Sequence, residues 1–152
     1  MKSIARFAIS LVFFALLFAM APGGADAQGR HPAYLHALTD LRAARALLNH
    51  HDGGELRHEE KEAIHQISDA IDDIKKAAVE DGKDIDEHPP VDARLDYPGR
   101  LHRAMELLNK AHQDIEREED NRFAQGLQQR AFDHIEKARH EVAECIRIVA
   151  SR

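Results

Sequence analysis

The stretch from residue 63 to residue 78, "AIHQISDAIDDIKKAA", decides the fold. Its isoleucines recur every three or four residues, at positions 64, 67, 71 and 74, and alanines at 63, 70 and 77 share their side. Residues three and four apart lie on one face of an α-helix. The spacing therefore predicts an amphipathic helix whose apolar seam packs against other helices.

Three further segments repeat this pattern, and turn signals separate them. "DGG" at 52–54 ends the first segment, Gly82 ends the second, and Asp120 or Asn121 can cap the fourth. The predicted helices span 32–51, 55–81, 97–118 and 121–150. Four amphipathic helices with two short connections predict an all-α fold, an antiparallel up-down-up-down four-helix bundle.

The connection between the second and third predicted helices, residues 82–96, is longer than bundles usually need. Pro89 and Pro90 favour extended backbone in it, and its acidic residues suit turns and caps. An up-down-up-down order requires only a short turn at this point. The length of the connection is therefore not accounted for by the predicted topology.

The N-terminal residues have the pattern of a secretory signal peptide. Lys2 and Arg6 precede an apolar run from Phe7 to Ala21, and small residues follow at Ala25 and Ala27. We expect residues 1–27 to be cleaved and residues 28–152 to form a soluble domain that is periplasmic or secreted. Membrane contact is then limited to the signal peptide before its removal.

Composition argues against several classes of function. The net charge is -6 and aromatic residues make up 5% of the chain, with no tryptophan, so nucleic acid is not an expected partner. Cys145 is the only cysteine, and its spacing from Val142 and Val149 predicts a buried thiol rather than a nucleophile. No catalytic motif occurs. We therefore predict a protein that is not an enzyme and has no catalytic residues.

The eleven histidines are the unusual feature of the composition. "NHHD" brings His50, His51 and Asp52 together at the end of the first helix, and His58 follows at the start of the second. Imidazole and carboxylate ligands suit zinc, copper or nickel. These four residues are the predicted metal site, and a divalent transition metal is the only cofactor this pattern suggests. A polar helix terminus in water remains the alternative.

Other histidines divide into an outer and an inner group. A polar stripe lies opposite the isoleucine seam of the second helix and is either a solvated face or a weak surface site: His58, Glu62, His65, Asp69 and Asp72. Its single E-x-x-H faces outward, whereas di-iron bundles need two such motifs and two further glutamates facing inward.

His112 and His134 fall within the apolar arcs of their helices. They are either core-edge histidines bonded to neighbours or axial ligands of a b-type haem. Their heights in the bundle differ by roughly 6 Å, which disfavours a direct axial pair. Met105 lies near the level of His134, so a Met–His pair stays open.

Two motifs carry a resemblance, "HPAYLHAL" at 31–38 and "HPPVD" at 88–92 followed by "GRLH" at 99–102. With them the chain resembles a group of small exported bacterial helical proteins. The resemblance implies export and a helical mature region, and it supplies no ligand or catalytic residues. The plan is also similar to exported cytochrome bundles, but the first helix lacks their early methionine.

These observations predict an exported, non-enzymatic binding or interaction protein of the cell envelope. The alternative is a periplasmic metal-binding or metal-buffering protein that uses histidines at the bundle ends, and a b-type haem electron carrier ranks third. The expected partner is an unidentified envelope protein or a metal ion. A polar outer face favours a monomer or a weak dimer.

Overall fold

The computed structural model describes residues 32–50, 56–79, 94–117 and 122–152. These ranges form four helices and contain no strand: α1 (Pro32–Asn49), α2 (His58–Val79), α3 (Tyr97–Glu116) and α4 (Arg122–Ala150). The prediction of an all-α four-helix bundle is confirmed. The predicted signal peptide and most of the connection 82–96 lie outside the described residues.

Local hydrogen bonds explain where α2 and α3 begin. The Glu60 carboxylate accepts the backbone N–H of Arg57 at 2.9 Å, which is half of a capping box. Asp96 caps α3 by accepting the N–H of Gly99 at 2.9 Å, with Pro98 in the first turn as predicted. A Cβ at position 99 would lie 2.6 Å from Asp96 Oδ1, so a larger residue there would have to displace the capping carboxylate.

The predicted apolar seams meet in one core. Small residues alternate with large ones, which lets the helix backbones approach closely while leucine and isoleucine fill the space between them. Cys145 is fully buried, as its spacing predicts. Among the described helices, none is long and apolar enough to cross a membrane. The largest fully buried side chains are Tyr34, Leu38, Leu41, Leu48, Ile67, Ile74, Leu101, Leu108, Ile115, Ile135 and Val142.

Each helix packs against two others. α1 contacts α2 and α3, and α4 contacts the same two, so α1 and α4 lie on one diagonal of the bundle and α2 and α3 on the other. Asp73 of α2 lies 3.2 Å from Arg130 of α4, while Cys145, near the other end of α4, lies by Glu60 at the start of α2. α2 and α4 are therefore antiparallel.

The order of helix directions differs from the predicted one. The start of α3 packs on the end of α4, and the Tyr97 ring centre lies 5.7 Å from Cζ of Arg57, just before α2. α2 and α3 therefore run the same way, and the order is up-down-down-up. Every packed pair is still antiparallel, as predicted for the bundle. We call the end where α2 and α3 begin the Tyr97 end.

This order accounts for the long connection. The chain leaves α2 at Val79 and enters α3 at Tyr97, at opposite ends of the bundle. A helix of 22 residues is about 33 Å long, and extended chain needs roughly 10 residues to cover that distance. The residues between α2 and α3 suffice, as in bundles with one long crossover. A short turn would have forced the up-down-up-down order.

Buried carboxylates hold the helix pairs in register. Asp40 of α1 accepts the Lys110 ammonium of α3 at 2.8 Å, and this hydrogen bond raises the pKa of Lys110. Asp73 of α2 accepts Nε of Arg130 in the same manner. Both carboxylates are at least nine-tenths buried, whereas both cations are more than half exposed. The cations can therefore bond across the helices and still reach water.

Candidate functional site

The predicted metal site is only partly within the described residues. His50 follows α1 and His58 begins α2, and both side chains are exposed at the Tyr97 end. His51 and Asp52 lie outside the described ranges. Within those ranges, no three His, Cys, Asp or Glu side chains stand ready to hold a metal ion. The site at His50, His51, Asp52 and His58 stays a prediction.

A second histidine group lies between α2 and α4. Oδ2 of Asp69 is 3.2 Å from Nδ1 of His65 and 3.9 Å from Nδ1 of His134. The side chains of His65, Asp69 and His134 are 67%, 38% and 23% exposed, so the group runs from the surface to the edge of the core. The carboxylate oxygen is therefore within hydrogen-bond distance of His65 and lies further from His134, on a different helix.

Neighbouring side chains fix the orientation of His134. Its Nδ1 lies 2.8 Å from Oε1 of Gln66, and Nε2 of Gln66 donates to Glu62 at 2.7 Å. The polar stripe predicted along α2 contains His65, Asp69 and Glu62, and both interpretations of it, a solvated face or a weak surface site, place it opposite the seam. Its link to His134 was missed, because the sequence does not reveal that α2 packs against α4.

His112 occupies the corresponding position on the other side of α4. Its Nε2 lies 3.0 Å from Oε1 of Glu136, its ring packs edge-on against Phe132, and Arg139 pairs with the same Glu136 oxygen. The interpretation of His112 and His134 as core-edge histidines bonded to neighbours fits this geometry. The two imidazoles lie on different sides of α4, so they do not face each other as an axial pair would.

A group of polar side chains is enclosed at the Tyr97 end. Cζ of Arg57 and Cζ of Arg100 lie 5.7 and 5.8 Å from the centre of the Tyr97 ring, within cation–π range. Burial and the adjacent Glu60 carboxylate raise the pKa of Tyr97 to about 12. Burial, again with Glu60, raises the pKa of Cys145 to about 12. The thiol therefore stays protonated near neutral pH, which disfavours a role as nucleophile.

An open apolar groove lies between the start of α3 and the end of α4. It has a volume of about 130 Å³ and is mostly aliphatic. Leu95, just before α3, is 42% exposed and is the exposed large hydrophobic residue of the described ranges. The sequence predicted neither feature. Val149 belongs to the predicted apolar face of α4, and no pattern marks Leu95. The groove is lined by Pro98, Leu101, His102, Ile146, Val149 and Ala150.

Comparisons with protein families, with curated proteins and with solved structures found no match to this chain.

Proposed function

We propose that the protein is an exported, non-enzymatic interaction protein of the cell envelope, which binds through the groove between α3 and α4. The observation that carries the proposal is an open apolar groove that is lined in part by Pro98, three residues after the exposed Leu95. Export is supported by the signal-peptide pattern of residues 1–27.

Leu95 lies close in the chain to one end of the groove. It stands three residues before Pro98, which lines the groove, and directly before Asp96, which caps α3. The backbone around Leu95 is held firmly, because its carbonyl accepts Nη1 of Arg100 at 3.0 Å and Asp96 caps the helix beside it. Because this backbone is held before binding, only the Leu95 side chain has to be ordered on binding.

The occupant we propose is Leu95 of a second copy of this chain. A cavity of 150 Å³ holds a benzene molecule, so a groove of about 130 Å³ can hold one leucine side chain. When a projection and a recess lie side by side on one surface, a two-fold axis lets each copy fill the other's recess. The contact is smaller than the roughly 800 Å² per partner of a stable interface, so the dimer is weak.

Sedimentation equilibrium of the mature protein, from micromolar to millimolar concentration, tests this proposal. We expect a reversible monomer–dimer equilibrium. Leu95→Asp and, independently, Ala150→Glu should raise the dissociation constant roughly tenfold or more, because both copies lose an apolar contact. The matched control is His36→Asp, which places the same charge on an exposed position of α1.

A monomer at millimolar concentration, or dimerisation that survives both groove variants, would show that a second copy is not the occupant. Circular dichroism confirms that each variant is folded. Both substituted positions are exposed, so loss of the bundle does not confuse the result.

Metal binding is the second candidate function. The specific observation in its favour is that His50 and His58 both expose their imidazoles at the Tyr97 end. The predicted site at His50, His51, Asp52 and His58 is tested separately, by metal content of tag-free protein before and after His50→Ala and His58→Ala. Unchanged content would remove those residues from the proposal.

A further inference from the structure

We infer that the charge of His102 regulates dimerisation through the groove between α3 and α4, because a protonated imidazole opposes the entry of Leu95 from a second copy. The inference rests on the proposed function and adds a pH dependence to it. The other residues that line the groove are proline, leucine, isoleucine, valine and alanine, so His102 is the lining residue that titrates. Histidine changes its charge between pH 5 and 8.

The imidazole of His102 stands in water in the single chain and loses water when the groove is filled. His102 is exposed, and the groove beside it is open to solvent. A leucine side chain seated in a space of about 130 Å³ covers the side chains that line it. Covering a charged group costs more free energy than covering a neutral one, unless an opposite charge receives it. Dimerisation therefore favours the neutral imidazole.

The charged side chains of α3 near His102 do not offset a charge on its ring. Glu106 lies one turn after His102, and Arg103 pairs with it at 2.7 Å, so that pair is neutral as a whole. Arg100 carries its guanidinium over the Tyr97 ring. Residues two apart in a helix do not face each other, so Arg100 and His102 point to different sides of α3.

Neither α4 nor the second copy brings a net opposite charge to the groove. The three lining residues of α4 are aliphatic. Of the charged residues near them, Arg147 pairs with Glu144 at 2.9 Å, and Arg152 follows the helix in an exposed position. In the second copy, Leu95 stands between Arg94 and Asp96, whose charges are opposite. Loss of water by the imidazole therefore decides the sign of the pH dependence.

The test is sedimentation equilibrium of the mature protein at pH 7.5 and pH 5.5, with His102→Gln as the reference variant. Glutamine is polar and does not titrate. When the pH is lowered, the dissociation constant of the wild type should rise at least about threefold relative to that of His102→Gln, because only the wild type gains a charge in the groove. Circular dichroism at both pH values confirms that each protein is folded.

A permanent charge and a distant histidine complete the comparison. His102→Lys is charged at both pH values, so it should dimerise weakly at both. The matched control is His140→Gln, which removes an exposed histidine of α4 that does not line the groove. This variant should keep the pH dependence of the wild type.

Lowering the pH also protonates the other histidines and reduces the negative charge of the chain, but this acts alike on the wild type and on His102→Gln. If the ratio of their dissociation constants does not change with pH, the inference is wrong and the groove dimer stands. Dimerisation of His102→Lys as tight as that of the wild type at pH 7.5 would also overturn the inference. A wild-type monomer at pH 7.5 would overturn the groove proposal, and this inference with it.

Discussion

The two sides of α4 carry the same kind of contact and give it different chemistry. Against α3, His112 meets Glu136, whose second partner is an arginine. Against α2, His134 approaches Asp69, whose second partner is another histidine. The first arrangement neutralises its carboxylate with a permanent cation. The second leaves the carboxylate between two groups that bind metals when neutral.

The difference lies in which residue occupies the next turn. Glu136 is followed by Arg139, three residues along α4, which pairs with it on the helix surface. Asp69 is preceded by His65, four residues back along α2. The chemical surroundings of a histidine at the edge of this bundle therefore depend on the helix neighbours of its partner, and its burial alone does not predict them.

The largest expected change in the free energy of unfolding comes from truncating the core residue that lies between the two histidine contacts in α4. Ile135 is fully buried on α4, between His134 and Glu136. Ile135→Ala should lower the free energy of unfolding by about 2–5 kcal/mol, through lost burial and a cavity. Urea unfolding followed by circular dichroism measures it. Gln125→Ala, on an exposed position of the same helix, should change the value by less than about 0.5 kcal/mol.

A loss near zero for Ile135→Ala would mean that α4 does not form the shared wall of the two contacts. The comparison between them would then lose its structural basis.

A smaller loss of stability should distinguish the α2-facing side of α4 from its α3-facing side. Asp73, beside the histidine group, is 6% exposed and accepts two guanidinium nitrogens of Arg130. Asp73→Ala should cost about 1–2 kcal/mol, because a buried charge-assisted bond is lost while the exposed Arg130 regains water. Glu136 is 53% exposed, and Glu136→Ala should cost under about 1 kcal/mol. Equal losses in urea unfolding would contradict the difference in burial.

Much of the fold could be predicted from the sequence, because helix periodicity is a local property. The seam at Ile67, Ile71 and Ile74 is buried, and the starts of α1 and α3 lie where Pro32 and Asp96 indicate. The remaining helix ends differ from the predicted bounds by at most three residues. End residues are weakly determined, because their hydrogen bonds compete with water.

Helix order and the histidine group could not be predicted in the same way. The parallel direction of α2 and α3 depends on which helix faces pack together in three dimensions. In the sequence, only the length of the connection 82–96 indicated a departure from the up-down-up-down order. The contact of His134 with Asp69 depends on that order, because it requires α2 to lie beside α4. Periodicity places a side chain on a face, but it does not name the helix opposite.

The smallest change in stability at neutral pH is expected from substitutions of Cys145 and Tyr97, at the Tyr97 end. Burial, with Glu60 nearby, raises the pKa of Cys145 from 9.0 to about 12 and that of Tyr97 from 10.0 to about 12. In alkali the unfolded chain loses these protons first. The contribution of these two groups to stability is therefore complete below about pH 8 and is lost as the pH rises toward their folded-state pKa values.

Tyr97→Phe and Cys145→Ala should each flatten this alkaline loss, measured as urea unfolding from pH 7 to pH 11. Tyr97→Phe, which removes only a hydroxyl, should flatten it with little change at neutral pH. Phe132→Leu, a substitution at the α3–α4 contact without a titrating group, should leave the slope unchanged. If Tyr97→Phe and Cys145→Ala keep the wild-type slope, burial does not hold these groups protonated. Water would then reach these two side chains at the Tyr97 end.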